Sequence, residues 1–311
     1  MSQQIKGNSL TEEEIQTGLK NVLRDGLATR AMITLTEGVF LVGFALKLEA
    51  PLFVIGLLAA IPPLAQLIQI PSIFLIEKYQ NRQKISLYAS AGSRVCLLLI
   101  ALIPFFFAPA VGLTFLLLAT FLRGALGALG ASSWNSWMRD LIPQDQLGSF
   151  FSKRWSYSIA LSIPLSLTAG VFIGKWGGMF PNYELQGYSI LFLCGFLLGM
   201  GGLYFISKIP DPPIPSRGKK VKILDLITRP FKDSNFKRLM MFLGSWNFAI
   251  FLAAPFFTVY LLQRLDYNMS VVIAFTVLTQ ITNVLFSKFG EGFPTDIATN
   301  QCWGSAVRYF L

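Results

Sequence analysis

Residues 52–108 read LFVIGLLAAIPPLAQLIQIPSIFLI, then EKYQNRQK, then ISLYASAGSRVCLLLIALIPFFFA. Two long apolar runs, Leu52–Ile76 and Ile85–Ala108, flank a short connector that carries Lys78, Arg82 and Lys84. A helix needs roughly 20 apolar residues to cross the hydrocarbon of a bilayer. It is viable there because its backbone polar groups bond within the segment. Both runs reach that length, so the stretch reads as two membrane-crossing helices joined by a basic turn.

The same pattern extends in both directions. Further spans are expected at Asp25–Leu46, Ala110–Met138, Trp155–Trp176, Tyr188–Ile206, Leu239–Leu262 and Met269–Ser287, eight in all. Eighteen Lys and Arg lie in the N-terminal segment and in the gaps after spans two, four and six, against Lys47, Lys175 and Arg264 in the other gaps. The positive-inside rule then puts the N-terminus in the cytoplasm of a protein of the plasma (inner) membrane. The net charge of +10 is accordingly a topology signal. A nucleic-acid partner is not expected, because no soluble domain gathers these charges. The partner expected instead is the lipid bilayer: 53% of the residues are hydrophobic and only 14% charged, too few for a soluble chain of this size.

Residues 1–24 are polar and read as a cytoplasmic amphipathic segment rather than a signal peptide. Thr11 and Glu14 form a capping box. Ile15, Leu19 and Val22 fall on one helical face, which leaves two readings open: a helix lying on the inner membrane surface, or a solvated helix leading into span one. Cys96, Cys194 and Cys302 form no CxxC pair and read as small apolar residues. There is no His, which removes imidazole ligands, Ser-His-Asp triads and imidazole relays. No cofactor or metal site is expected, and an enzyme is the poorest reading.

Spans one to six form a six-helix set over residues 25–209, followed by a Pro-rich, basic cytoplasmic linker, 210–238, with a short surface helix expected over 223–233. Residues 239–288 hold spans seven and eight. The loop EKYQNRQK resembles the G-x-x-x-D-R-x-G-R-R signature of the major facilitator superfamily of secondary transporters. Glu77 stands at the Asp position, Lys78 at the Arg and Arg82 at the final Arg, while Ile73 and Gln80 depart from the two Gly positions. Span four carries Arg123 and Gly127, similar to the family's fourth-helix motif. The segment after it resembles D-x-x-P-x-x-x-R-G through Asp140, Pro143 and Gly148, with Leu147 in place of Arg. The resemblance implies an all-α, MFS-type helical bundle: an N-terminal six-helix half plus two helices of the C-terminal half. It also implies a cytoplasmic gate at Glu77, Lys78, Arg82 and Asp140.

The family has twelve helices, so the last residues need explaining. From 289 to 311 the chain turns polar, and a one-base shift of the reading frame allows IWGRFSDRYSNKSVLG across Lys288–Gly304. That peptide contains G-x-x-x-D-R, and DRYSNK aligns with EKYQNR at Glu77–Arg82. Repeated halves predict such a partner loop at this place. The expectation is an out-of-frame tail that replaces helices nine to twelve, with a short tail in the true frame as the alternative. Resequencing codons 283–290 decides between them.

Ionisable groups at mid-membrane are functional candidates by default. At about 1.5 Å per residue, Glu37 on span one and Arg123 on span four fall near the midplane, with Arg94 on span three slightly inside it. A Glu37–Arg123 pair follows from the cost of an unpaired charge. It reads either as a proton-coupling and substrate-binding pair, since protonating Glu37 would release Arg123, or as a structural ion pair. Arg94 is expected to bond a neighbouring helix. Trp246 and Asn247 on span seven and Gln280 on span eight are further substrate candidates, with packing and interhelical bonding as the competing reading. The excess of base over acid points to an anionic or polar solute. The function expected is secondary active transport of a small solute, proton-coupled, by alternating access. The alternatives are an inactive truncated fragment and, from another class, a seven- or eight-helix receptor or channel, for which no polar ring is seen.

Overall fold

The structure, a computed structural model, describes residues 11–212 and 232–290, with side chains as far as Thr282. The linker helix expected over 223–233 lies almost wholly outside the described residues, and so does the expected out-of-frame tail from Glu291 onward. Ten α-helices appear among the described residues, and no strand. They are α1 Glu12–Thr36, α2 Val39–Lys47, α3 Leu52–Ala65, α4 Gln69–Tyr79, α5 Arg82–Phe106, α6 Pro109–Leu141, α7 Leu147–Met179, α8 Glu184–Ser207, α9 Ser234–Val259 and α10 Met269–Gly290.

Taken with their short extensions, seven helical segments are long and apolar enough to cross a membrane, and α10 adds a shorter apolar stretch over Met269–Thr282. Phe53, Tyr88, Phe106, Phe248 and Phe257 lie exposed on the outer faces. The chain is an all-α, multi-pass membrane protein.

Local chemistry sets the boundaries. The Thr11 capping box forms: the Thr11 N–H donates to Glu14 Oε2 at 2.8 Å, and the Glu14 N–H donates to Thr11 Oγ1 at 3.3 Å. Asn81 caps α5, its Oδ1 accepting from the Lys84 N–H at 2.9 Å. Asp233 caps α9, accepting from the Asn235 N–H at 2.8 Å. That cap starts α9 at Ser234, ahead of the expected Leu239. Likewise α7 starts at Leu147 rather than Trp155, which draws Arg154 into a helix.

Two spans are not single helices. Pro62 and Pro63 lack the N–H that the preceding turn needs. Span two accordingly passes through a 3-10 turn, Gln66–Ile68, between α3 and α4. Span one breaks between α1 and α2: Glu37 is extended (φ −125°, ψ −178°), and Gly38 has φ +59° and ψ −126°, a conformation open to glycine alone.

The N-terminal segment leads directly into span one, as the second of the two open readings has it, with its polar face exposed. α1 is continuous from Glu12 to Thr36, and Leu19 and Val22 are buried against Trp137, Met138, Leu141 and Ile206. Its apolar face therefore docks on the ends of α6 and α8, not on lipid or water. At the same end Asn21 reaches the Lys208 carbonyl and Trp137 Nε1 donates to the Pro210 carbonyl at 2.9 Å. At the opposite end Lys47 pairs with Glu184. The helices thus run alternately up and down.

Close packing follows small residues. α1 lies along α8 where Gly195, Gly199 and Gly202 present bare backbone to Thr36, Met32 and Asp25. α5 lies along α6, with Gly130 facing Ser90 and Gly92 facing Leu126. Beyond the linker, α10 packs on α7, and α9 touches α2 and α3.

Candidate functional site

The break in span one opens into a cavity of about 700 Å³ inside the bundle. Its wall includes Glu37 and Gly38 at the break, Arg94 of α5, Arg123 of α6, and Pro255 and Thr258 of α9. Helices from both sides of the linker therefore contribute. Non-helical backbone at membrane depth is tolerated where it lines such a cavity.

Glu37 and Arg123 meet here, with Arg123 Nη2 2.8 Å from Glu37 Oε1. The same Nη2 reaches Thr36 Oγ1 at 3.4 Å. The two partners are unequally placed: the Arg123 side chain is 9% exposed and that of Glu37 44%. The carboxylate, carried on extended backbone, faces the cavity. The guanidinium is held from behind by packed helix, and Ser93 Oγ donates to the Arg123 carbonyl at 3.1 Å.

Arg94 turns the other way along α1. Its Nη2 donates to Thr29 Oγ1 at 3.2 Å and lies 3.7 Å from Asp25 Oδ1. Thr29 Oγ1 in turn donates to Asp25 Oδ1 at 3.2 Å. Asp25 is 4% exposed and Arg94 3%. Arg154 completes this second group, with its Cζ 4.8 Å from the centre of the Trp134 ring.

Sequence reasoning missed Asp25, Arg154 and Trp134 as site residues. The hydropathy pattern makes Asp25 the first residue of a span, and the gap charges make Arg154 a topology signal. The available signal was their position: Asp25 lies three turns inside a helix that begins at Glu12, and Arg154 two turns inside one that begins at Leu147.

The remaining candidates lie elsewhere. Trp246 is exposed and stacks on Phe242, and Asn247 donates to the Leu243 carbonyl of its own helix at 2.8 Å. Neither lines the cavity. Gln280 accepts from the buried Ser162 Oγ at 2.9 Å and so ties α10 to α7.

Of the four loop residues, Arg82 and Asp140 come together. Arg82 is 1% exposed and pairs with the Asp140 carboxylate and with Asp211 at 3.1 Å. It also donates to the carbonyls of Ser136 at 3.2 Å and Pro212 at 2.7 Å. Glu77 makes no ion pair among the described residues, and Lys78 lies over the Tyr79 ring.

No protein-family model matches the chain, and neither do the curated proteins or the solved structures compared with it.

Proposed function

We propose that the protein is a secondary active transporter of the major facilitator type, with its N-terminus in the cytoplasm of the plasma membrane. It moves a small solute by alternating access and couples that movement to protons. One observation carries the reading: a cavity at mid-bundle, walled by helices from both sides of the linker, opens at a broken helix that holds a carboxylate against a guanidinium. Transporters of several folds build their substrate sites from discontinuous helices near the midplane. Protonation of Glu37 would free Arg123 for an incoming solute, and solute release would restore the pair. The Arg82 cluster supports a gate, because one side chain there holds the starts and ends of three helical segments together.

The test is uptake of a panel of labelled solutes into proteoliposomes carrying an imposed pH gradient. Gradient-driven accumulation is expected for at least one solute and is lost in Glu37→Gln. Accumulation that survives this substitution removes the coupling role.

A second reading rests on α9. Its apolar window buries nothing, and of the whole helix only Val259 is buried. An apolar helix so little covered fits a half-bundle that lacks partner helices, which would make the chain by itself an inactive fragment. No uptake of any solute in the same assay favours that reading.

A further inference from the structure

The two charge groups in the cavity differ in how well they are satisfied. At the helix break, one carboxylate answers one guanidinium. At Asp25, one carboxylate stands among Arg94, Thr29 and Arg154, and three donors are left over. Arg94 Nη1, Arg154 Nε and Trp134 Nε1 are buried with no hydrogen-bond partner among the described residues. All three residues line the cavity, and Arg94 is 97% buried, from its 3% exposure.

These groups donate and cannot accept. A buried donor without an acceptor carries a desolvation penalty, larger when the group is charged. Yet the surrounding helices make room for them. A Cβ at Gly202 would stand 3.0 Å from Asp25 Oδ1 and 3.3 Å from Arg94 Nη2, and one at Gly199 would stand 3.1 Å from Arg94 Nε. A Cβ at Gly26 would overlap Arg154 Nε. Three glycines therefore cradle two guanidinium groups, and the Trp134 ring flanks that of Arg154. Among the charged residues of the cavity wall, three arginines face two acids. Thr29 and Thr36, which mark the two groups, are seven residues apart on α1, about 10 Å along its axis. The Asp25 end is thus a site separate from the Glu37–Arg123 pair.

We propose that this end of the cavity is an oxyanion site, in which a carboxylate or phosphate oxygen of a ligand accepts from Arg94 and Trp134 beside the charge of Arg154. Anion binding completes the donors and cancels the excess charge. If the protein is a transporter, its solute is an anion. That last statement rests on the transport reading; the site itself does not. The oxyanion can belong to a free solute or to the headgroup of an anionic lipid.

Equilibrium binding tests the site without any need for transport. The purified chain, in phospholipid-free maltoside micelles, is titrated with inorganic phosphate and with succinate against chloride at constant ionic strength, read by calorimetry. Saturable binding of at least one is expected. Trp134→Phe, which removes only the N–H, weakens it about tenfold, and Arg94→Gln abolishes it. If Arg94→Gln fails to fold because it strands Asp25, Trp134→Phe decides alone.

Binding that is the same in the variants overturns the site. So does the absence of binding both in micelles and in nanodiscs titrated with phosphatidylglycerol. Binding that appears only with phosphatidylglycerol, and weakens in Trp134→Phe, keeps the oxyanion site, assigns it to lipid and overturns the anionic-solute statement. Anion binding without uptake in proteoliposomes leaves the site standing and removes the transport reading. Uptake of a neutral solute without anion binding does the reverse.

Discussion

The Glu37–Arg123 pair is asymmetric, and that asymmetry predicts how it fails. Glu37 is partly open to the cavity, whereas Arg123 is packed among helices. Removing the acid strands a buried cation, while replacing both partners by neutral groups removes the need for a pair. Glu37→Gln is expected to lower stability by about 1–3 kcal/mol, a buried-pair cost reduced for the exposure of the carboxylate. Adding Arg123→Met should recover most of the loss, as read by thermal melting in detergent; a double variant that melts below both singles would contradict the argument. Arg82 offers a second test. It serves four acceptors from one planar fork, which an ammonium cannot match. Arg82→Lys should therefore destabilise the chain nearly as much as Arg82→Gln, by about 2–4 kcal/mol, and a melt unchanged in the lysine variant would show that charge alone suffices.

Among the elements, the break between α1 and α2 depends on Gly38. A Cβ there would meet nothing within 4 Å, so no steric clash forbids alanine. Its positive φ does, at a cost of about 1–3 kcal/mol. Gly38→Ala is expected to lower the melting temperature even though it adds apolar surface in open space; a neutral outcome would mean that the two helices join. The α1–α8 seam gives a paired prediction. At Gly195 a Cβ would overlap Thr36 Cγ2 and stand 3.4 Å from the Met32 carbonyl, whereas at Gly201 nothing lies within 4 Å. Gly195→Ala should cost about 1–3 kcal/mol, and Gly201→Ala should be neutral or stabilising by up to about 1 kcal/mol. Equal effects at the two positions would refute the close contact. The capping box was legible because it is a local device, decided within one turn of helix.

Across the whole molecule, the bundle is unevenly covered. α1, α5, α6 and α8 contribute most of the buried residues, and α9 contributes one. Local opening tracks such coverage, so amides of α9 should exchange with deuterium faster than those of α5 in the same micelles; equal protection would mean that α9 is covered in solution. The all-helical, multi-pass class, the approximate positions of the spans and the pairing of Glu37 with Arg123 were legible in the sequence alone. Hydropathy and rise per residue act along one helix at a time, and charge in the gaps needs no knowledge of neighbours. Only the tertiary structure decided that span one is broken, that Arg94 and Arg154 converge on Asp25, that Asp211 shares Arg82 with Asp140, and that Trp246 and Asn247 face away from the cavity. Each of these depends on how far a helix is rotated about its own axis and on which partner it meets. Rotation and partner are set by packing between residues far apart in the chain, a quantity that no local sum over the sequence contains.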